Sequence, residues 1–176
     1  MRGSKSNTLK IKPASRRATF QNVVGPHPLL RLGAGFAFKG VDIMIEIYAD
    51  GAAIPNPGNM GCGIVLVYNN HVKDISEYIG YGTNNIAELT AVKIGLQNIK
   101  NRLMPITVFS DSMYAVKMLS GEWSPKENIE LIFEIKKFIS EFNNVKIEWI
   151  RGHTGNRYNE RADYLANGAA MEGEAG

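Results

Sequence analysis

Apolar positions begin to organise the chain at about residue 41. Ile43, Ile45 and Ile47 alternate with Met44, Glu46 and Tyr48, which predicts a strand that runs through Ala49 and ends at Asp50. The following Gly51–Asn59, with Pro55, Pro57 and Gly58, reads as turn-rich. A second strand is expected from about Gly61 to Tyr68, a turn at Asn69-Asn70, and a third strand from about Val72 to Ile79, making an antiparallel meander. Ile86, Leu89, Val92, Leu96 and Ile99 then fall on one helical stripe. Ile106–Ser110 predicts a fourth strand, and Met113, Val116, Lys117 and Leu119 a short helix. Beyond Gly121–Pro125, the residues Leu131, Ile132, Ile135, Phe138 and Phe142 recur at helical spacing. Val145–Ile150 forms a fifth strand that delivers the chain to a loop at His153 and a last helix. Trp149, alternating with Ile147, is expected in the core. The order βββαβα(α)βα predicts an α/β domain with a five-stranded mixed sheet, three antiparallel strands and then parallel ones, with helices packed on it.

Composition adds limits. A hydrophobic fraction of 44% and a charged fraction of 21% over 176 residues suit one packed domain with an appendage. Cys62 is the single cysteine, which excludes an intramolecular disulfide and a multi-cysteine zinc site. Its place in an apolar strand reads as a small buried hydrophobe. No apolar run approaches the roughly 20 residues that span a bilayer. A reducing, cytoplasmic location is therefore expected, with no membrane partner.

The charge is unevenly spread. Residues 1–40 hold 8 of the 20 basic residues and none of the 17 acidic ones, so the formal net charge of +3 divides into +8 there and −5 beyond. This segment lacks periodicity and is rich in Ser, Gly, Pro and basic residues, which reads as a flexible extension. A leader, an organelle presequence and a nucleic-acid-binding arm all fit its composition, and the leader is the blandest. The expected division is 1–40 extension, 41–171 domain and 172–176 tail.

Four carboxylates, Asp50, Glu88, Asp111 and Asp163, each sit where a strand or helix could aim them at one point. Converging carboxylates repel one another unless they share hard cations. Oxygen ligands suit Mg²⁺, and two such ions can clamp an in-line phosphoryl displacement. This is the pattern of a nuclease.

The surroundings of these acids narrow the class. Ala49-Asp50-Gly51, Asn56-Pro57-Gly58, Thr83-Asn84-Asn85-Ile86-Ala87-Glu88-Leu89, Ser110-Asp111-Ser112, and Gly152-His153-Thr154-Gly155 followed by Asn159-Glu160-Arg161-Ala162-Asp163 resemble the type 1 ribonuclease H pattern over about residues 43–170. That resemblance implies a ribonuclease H-like fold and an endoribonuclease. The expected reaction cuts the RNA strand of RNA/DNA hybrids and leaves 5′-phosphate and 3′-hydroxyl ends. Asp50, Glu88, Asp111 and Asp163 are the implied ligands for two Mg²⁺ ions, with Mn²⁺ as a substitute, roughly 4 Å apart and bridged by Asp50. Glu88 is also expected to meet the ribose 2′-hydroxyl, which DNA lacks. His153 is expected to shuttle a proton or assist product departure on a glycine-flanked, movable loop. Asn159 is the implied amide that orients the region.

Residues expected to hold the hybrid are Gly51 and its neighbours, Asn56, Thr83, Asn84, Asn85, Trp123 and Asn128. Thr83 and Asn128 correspond to a pocket for a DNA-strand phosphate, although Thr83 equally suits a helix N-cap. Asn56 equally suits a turn. Trp123 is placed to stack on a sugar or base. Between Asp111 and Asn128 there is no Lys/Arg/Trp-rich insertion, so the chain resembles the handle-less branch of the family. No protein partner is evident, and a monomer is expected. Other enzymes on the same fold, such as transposases and Holliday-junction nucleases, lack the Thr-Asn-Asn-x-x-Glu and Gly-His-x-Gly contexts. A non-catalytic binding module would lack a carboxylate. A domain cut from a reverse transcriptase would share the chemistry. Primer removal in replication and R-loop clearance are family-level expectations.

Overall fold

The computed structural model describes residues 44–173, so the basic extension and most of the short tail lie outside the described residues. Five strands, β1 (Ile45–Ile54), β2 (Gly58–Tyr68), β3 (His71–Gly82), β4 (Ile106–Ser110) and β5 (Val145–Trp149), form one sheet in the order β3-β2-β1-β4-β5. The β1–β2 and β2–β3 pairs are antiparallel, and β1–β4 and β4–β5 are parallel. Helices α1 (Asn84–Gln97), α2 (Met113–Ser120), α3 (Ile129–Ile139) and α4 (Arg157–Glu172) complete the domain. The predicted mixed sheet is therefore present, with strands and helices following one another along the chain as expected.

Alternation along β1 assigns its two faces. Ile45, Ile47 and Ala49 pack with Leu89, Val92 and Leu96 of α1 in the main core. Tyr48 packs with Ala162, and Ala52 with Ala166 and Ala170, all on α4. Both faces of the central strand are thus covered, which explains why β1 and β2 are buried almost throughout. Small residues let α4 come close: a Cβ on Gly63 would lie 1.9 Å from the Ala162 carbonyl oxygen. That approach brings the polar edge of α4 down to the sheet beside Asp50.

Several boundaries differ from expectation. Asp50 lies in the middle of β1, because Gly51–Ile54 continue the ladder against Asn59–Cys62 instead of turning. The turn shrinks to Pro55–Pro57, with both prolines following cis peptide bonds. Long-range pairing with β2 outweighs the local turn signals of this segment. β3 likewise extends to Gly82. Helix α3 stops at Ile139, so the buried Phe142 follows it in the connection to β5. Trp149 is 45% exposed and lies at the end of an edge strand; this corrects its assignment to the core.

Candidate active site

Parallel pairing sets the first two carboxylates level. β1 and β4 pair as Ile45 with Ile106 through Tyr48 with Phe109, so two more residues along each strand bring Asp50 beside Asp111. β4 then ends at Ser110, and Ser112 caps α2 by accepting the Ala115 N–H. β1 instead runs on to Ile54, and a notch opens where its neighbour has turned away. The site therefore sits at the carboxyl end of a parallel strand, beside a strand that reverses direction in the sheet.

Glu88 enters this notch from α1, on the opposite face to α4. Its helix begins at Asn84, with the Thr83 hydroxyl accepting the Ile86 N–H as N-cap, so Glu88 falls just past the first turn. A Cβ on Gly51 would lie 2.2 Å from both the Ala87 carbonyl carbon and the Glu88 nitrogen. Only glycine admits the helix at that distance, and the Gly51 backbone beside both carboxyls lowers the pKa of Asp50 and of Glu88 against the larger effect of burial. Cys62 is buried beneath the same turn, and its thiol donates to the Ala87 carbonyl at 3.4 Å. Burial pushes that thiol far up, so it is inert packing, as its strand position predicted.

Asp50, Glu88 and Asp111 offer oxygens that all lie within 4.8 Å of one another. Asp50 and Glu88 are buried, at 6% and 8% exposure, and one Glu88 oxygen, Oε2, is buried without a hydrogen-bond partner. Burial, reinforced by the charges of Asp111 and Asp163, pushes the Asp50 carboxyl from its ordinary 3.8 up to about 8. Burial first, then the charge of Asp50, raises Glu88 well above its ordinary value. Three close carboxylates with an orphaned buried oxygen fit a hard divalent cation, which would supply the missing positive charge and ligand. Asp163, half-buried on α4, stands outside this tight trio, and its Oδ1 accepts the Asn167 Nδ2–H at 2.8 Å.

Asn159 is buried and donates through Nδ2 to Asp111 Oδ2 at 3.1 Å. The His153 loop touches the same aspartate. A Cβ on Gly152 would meet Asp111 Oδ2 at 2.5 Å, so this glycine serves close approach. His153 is exposed with φ of 53°, and the loop is tied by Thr154 Oγ1 to the Arg151 carbonyl and by the Gly155 N–H to Glu160. The loop thus carries two hydrogen bonds, one within itself and one to α4.

The residues expected to hold nucleic acid fall in two places, Gly51, Asn56, Thr83, Asn84 and Asn85 around β1 and the start of α1, and Trp123 and Asn128 in the α2–α3 connection. Asn84 Oδ1 accepts the Ala53 N–H at 2.6 Å, and the Asn84 N–H donates to Asn56 Oδ1 at 3.1 Å. Two of the expected contacts, Asn56 and Asn84, are therefore knitted together with the Gly51–Ala53 segment, and both are exposed. Asn85 is half-buried beside them. Asn128 sits before α3 with φ of 53° and donates through Nδ2 to the Tyr114 hydroxyl at 3.1 Å instead of capping its helix. Trp123, 48% exposed, and Tyr114 line an open groove of about 590 Å³ along residues 114–127. The α2–α3 connection is only residues 121–128, with no insertion.

Sequence reading missed two groups that meet Asp111. One is Gly152, named only as part of a flexible loop. The other is Trp149, whose Nε1–H donates to the Asp111 carbonyl at 3.0 Å. Neither is signalled locally, because both contacts join segments roughly forty residues apart in sequence.

A mixed sheet with helices on both faces gathers carboxylates from β1, α1 and the end of β4 at one notch that could hold a metal ion, the layout of a ribonuclease H-like fold. A family model described as RNase H matches residues 42–171. A ribonuclease H of Pelobacter propionicus is 41% identical over 142 residues, covering 73% of this chain and 85% of that protein. A ribonuclease H of Desulforamulus reducens is 35% identical, covering 73% and 88%. Among solved structures, RNase H1 from the halophilic archaeon Halobacterium salinarum matches with a TM-score of 0.66 at 30% identity, covering 73% of this chain and 98% of that one. LC11-RNase H1 in complex with an RNA/DNA hybrid matches with a TM-score of 0.65 at 30% identity, covering 74% and 99%. The chain belongs to the ribonuclease H family, and it is a nuclease.

Proposed function

We propose that the protein hydrolyses the RNA strand of RNA/DNA hybrids as an endoribonuclease, leaving 5′-phosphate and 3′-hydroxyl ends. The observation that carries the reading is the Asp50, Glu88 and Asp111 trio, within 4.8 Å, at the notch between β1 and β4. Asp50, Glu88 and Asp111, with Asp163 beside them, would hold two Mg²⁺ ions, or Mn²⁺ in their place. When bound, those ions supply Lewis-acid charge for attack on the scissile phosphorus and for the departing 3′ oxygen. Water forms the new P–O bond, the P–O3′ bond breaks, and the 3′ oxygen takes up a proton. No covalent enzyme intermediate forms.

The chain's own residues account for substrate choice. We assign the ribose 2′-hydroxyl to Glu88, which follows the exposed Asn84 by one turn of α1. Asn56 and Asn84 use their side-chain carbonyls within the protein. That leaves their NH₂ groups as donors toward minor-groove and sugar acceptors. Thr83 and Asn128 hold a DNA-strand phosphate, Asn85 lines the minor groove, and Trp123 stacks in its groove. His153, exposed on its anchored loop, relays a proton at product departure. Asn159 keeps Asp111 oriented.

The decisive experiment incubates the protein and Mg²⁺ with a labelled hybrid, single-stranded RNA and duplex DNA. Cleavage confined to the RNA of the hybrid is expected, with end-labelling that identifies 5′-phosphates. Equal cleavage of duplex DNA would overturn the reading.

A further inference from the structure

Asp111 occupies a break in the regular structure. The β4–β5 ladder stops at the Ser110–Trp149 pair, with the Ile150 N–H donating to the Ser110 carbonyl, and α2 begins only at Met113. The Asp111 carbonyl is thus between a strand and a helix, and its partner is the Trp149 indole N–H at 3.0 Å. Trp149 is 45% exposed, so its indole is not committed to the core. The bond restrains the aspartate more than it serves the indole. Restraint has a purpose here, because Asp111 shares a trio of mutually repelling carboxylates and is the least buried of the three. A rotation of its peptide would swing the carboxylate away from Asp50 and Glu88.

We propose that Trp149 is a positioning residue, whose indole N–H fixes the Asp111 main chain so that the carboxylate stays aimed into the cation site. It works with Asn159 at a different point. Asn159 holds the carboxylate from α4, and Trp149 holds the backbone from β5. The aspartate is held at its carboxylate and at its main-chain carbonyl, and neither contact uses the oxygen Oδ1. The proposal rests on the divalent-cation reading of the trio.

The test uses Trp149→Phe in the full chain, which keeps an aromatic ring and removes the donor. Mg²⁺ binding is measured by calorimetry without substrate, and hybrid cleavage is measured with KM and kcat separated. Mg²⁺ affinity and kcat are each expected to fall about tenfold, the usual scale for groups that orient a metal ligand, with KM for the hybrid within about twofold of the parent. Unchanged Mg²⁺ affinity and kcat in a folded variant would overturn the proposal. Should Trp149→Phe fail to fold, Trp123→Phe leaves Trp149 as the sole tryptophan. Its emission is expected to shift when Ca²⁺ or Mg²⁺ is added, and an unchanged spectrum at saturating cation overturns the proposal. A parent protein that binds Mg²⁺ but cuts no hybrid sinks the proposed reaction alone, and calorimetry on Trp149→Phe still decides the positioning role.

Discussion

Asn159 on α4 donates a hydrogen bond of 3.1 Å to the carboxylate of Asp111, which follows β4 and lies 48 residues earlier in the chain. This bond orients one carboxylate of the trio from across the site. Asn159 is 2% exposed, so the bond is shielded from competing water. Replacing Asn159 with Ala is expected to lower kcat by about 10- to 100-fold, with the variant still folded by circular dichroism. Raised Mg²⁺ should recover part of the loss, which a titration of rate against Mg²⁺ would show.

The carboxylates oppose folding while they prepare the site for cations. Asp50→Asn is expected to cut hybrid cleavage by at least about 10²-fold, the scale lost with one preorganised electrostatic contact. The same substitution removes a buried repulsion, so the Tm of the metal-free variant should exceed that of the parent. Steady-state rates and thermal melts in chelator measure the two effects; a lower Tm would show that the Asp50 carboxylate is not strained.

The pH dependence of stability has a definite sign. Unfolded, Asp50 titrates near 3.8, and in the folded metal-free protein burial moves it to about 8. Between those values the folded state keeps a proton that the unfolded chain has released. This contribution to stability is fully present below about pH 4 and is lost as pH rises through about 8, and Glu88 shifts in the same direction. Thermal melts in chelator should therefore fall in Tm from pH 5 to pH 8, with a shallower slope in Asp50→Asn. Mg²⁺ should reverse the decline, because it stabilises the ionised carboxylates.

Gly51 tests the approach of α1 to β1. A methyl group there meets backbone at 2.2 Å, and backbone cannot swing aside as a side chain can. Gly51→Ala is expected to cost about 3 kcal/mol, at the upper end for overpacking, and to displace Glu88. Denaturant unfolding gives the first figure and Mg²⁺ affinity reports the second. Wild-type stability in this variant would mean that the helix shifts freely.

Residues 1–40 carry the positive charge that the domain lacks. Removing them is expected to weaken hybrid binding and flatten the dependence of log K on log salt, because fewer counterions are released. Binding measured from about 50 to 200 mM salt reads the slope, and an unchanged slope would assign substrate binding to the domain alone.

Much of this protein was legible in the chain because its signals are local. Alternation at Ile45 and Ile47, the Asn69-Asn70 turn and the 3.6-residue stripe of α1 each follow from neighbours a few residues apart. Three of the four acids singled out, Asp50, Glu88 and Asp111, come within 4.8 Å of one another, and each is embedded in a short motif. Tertiary structure decided what depends on elements facing one another. Pairing with β2 carried β1 through the turn-like Gly51–Ile54, and so set Asp50 inside a strand. Its position at the end of the edge strand left Trp149 exposed despite its alternation with Ile147, with its indole reaching Asp111. Gly51 and Gly152 looked like loop residues until α1 and Asp111 came within a methyl's radius of them. Local sequence specifies what each segment can become. Which carboxylate, amide and glycine meet is settled by register and packing, and those free energies belong to no single segment.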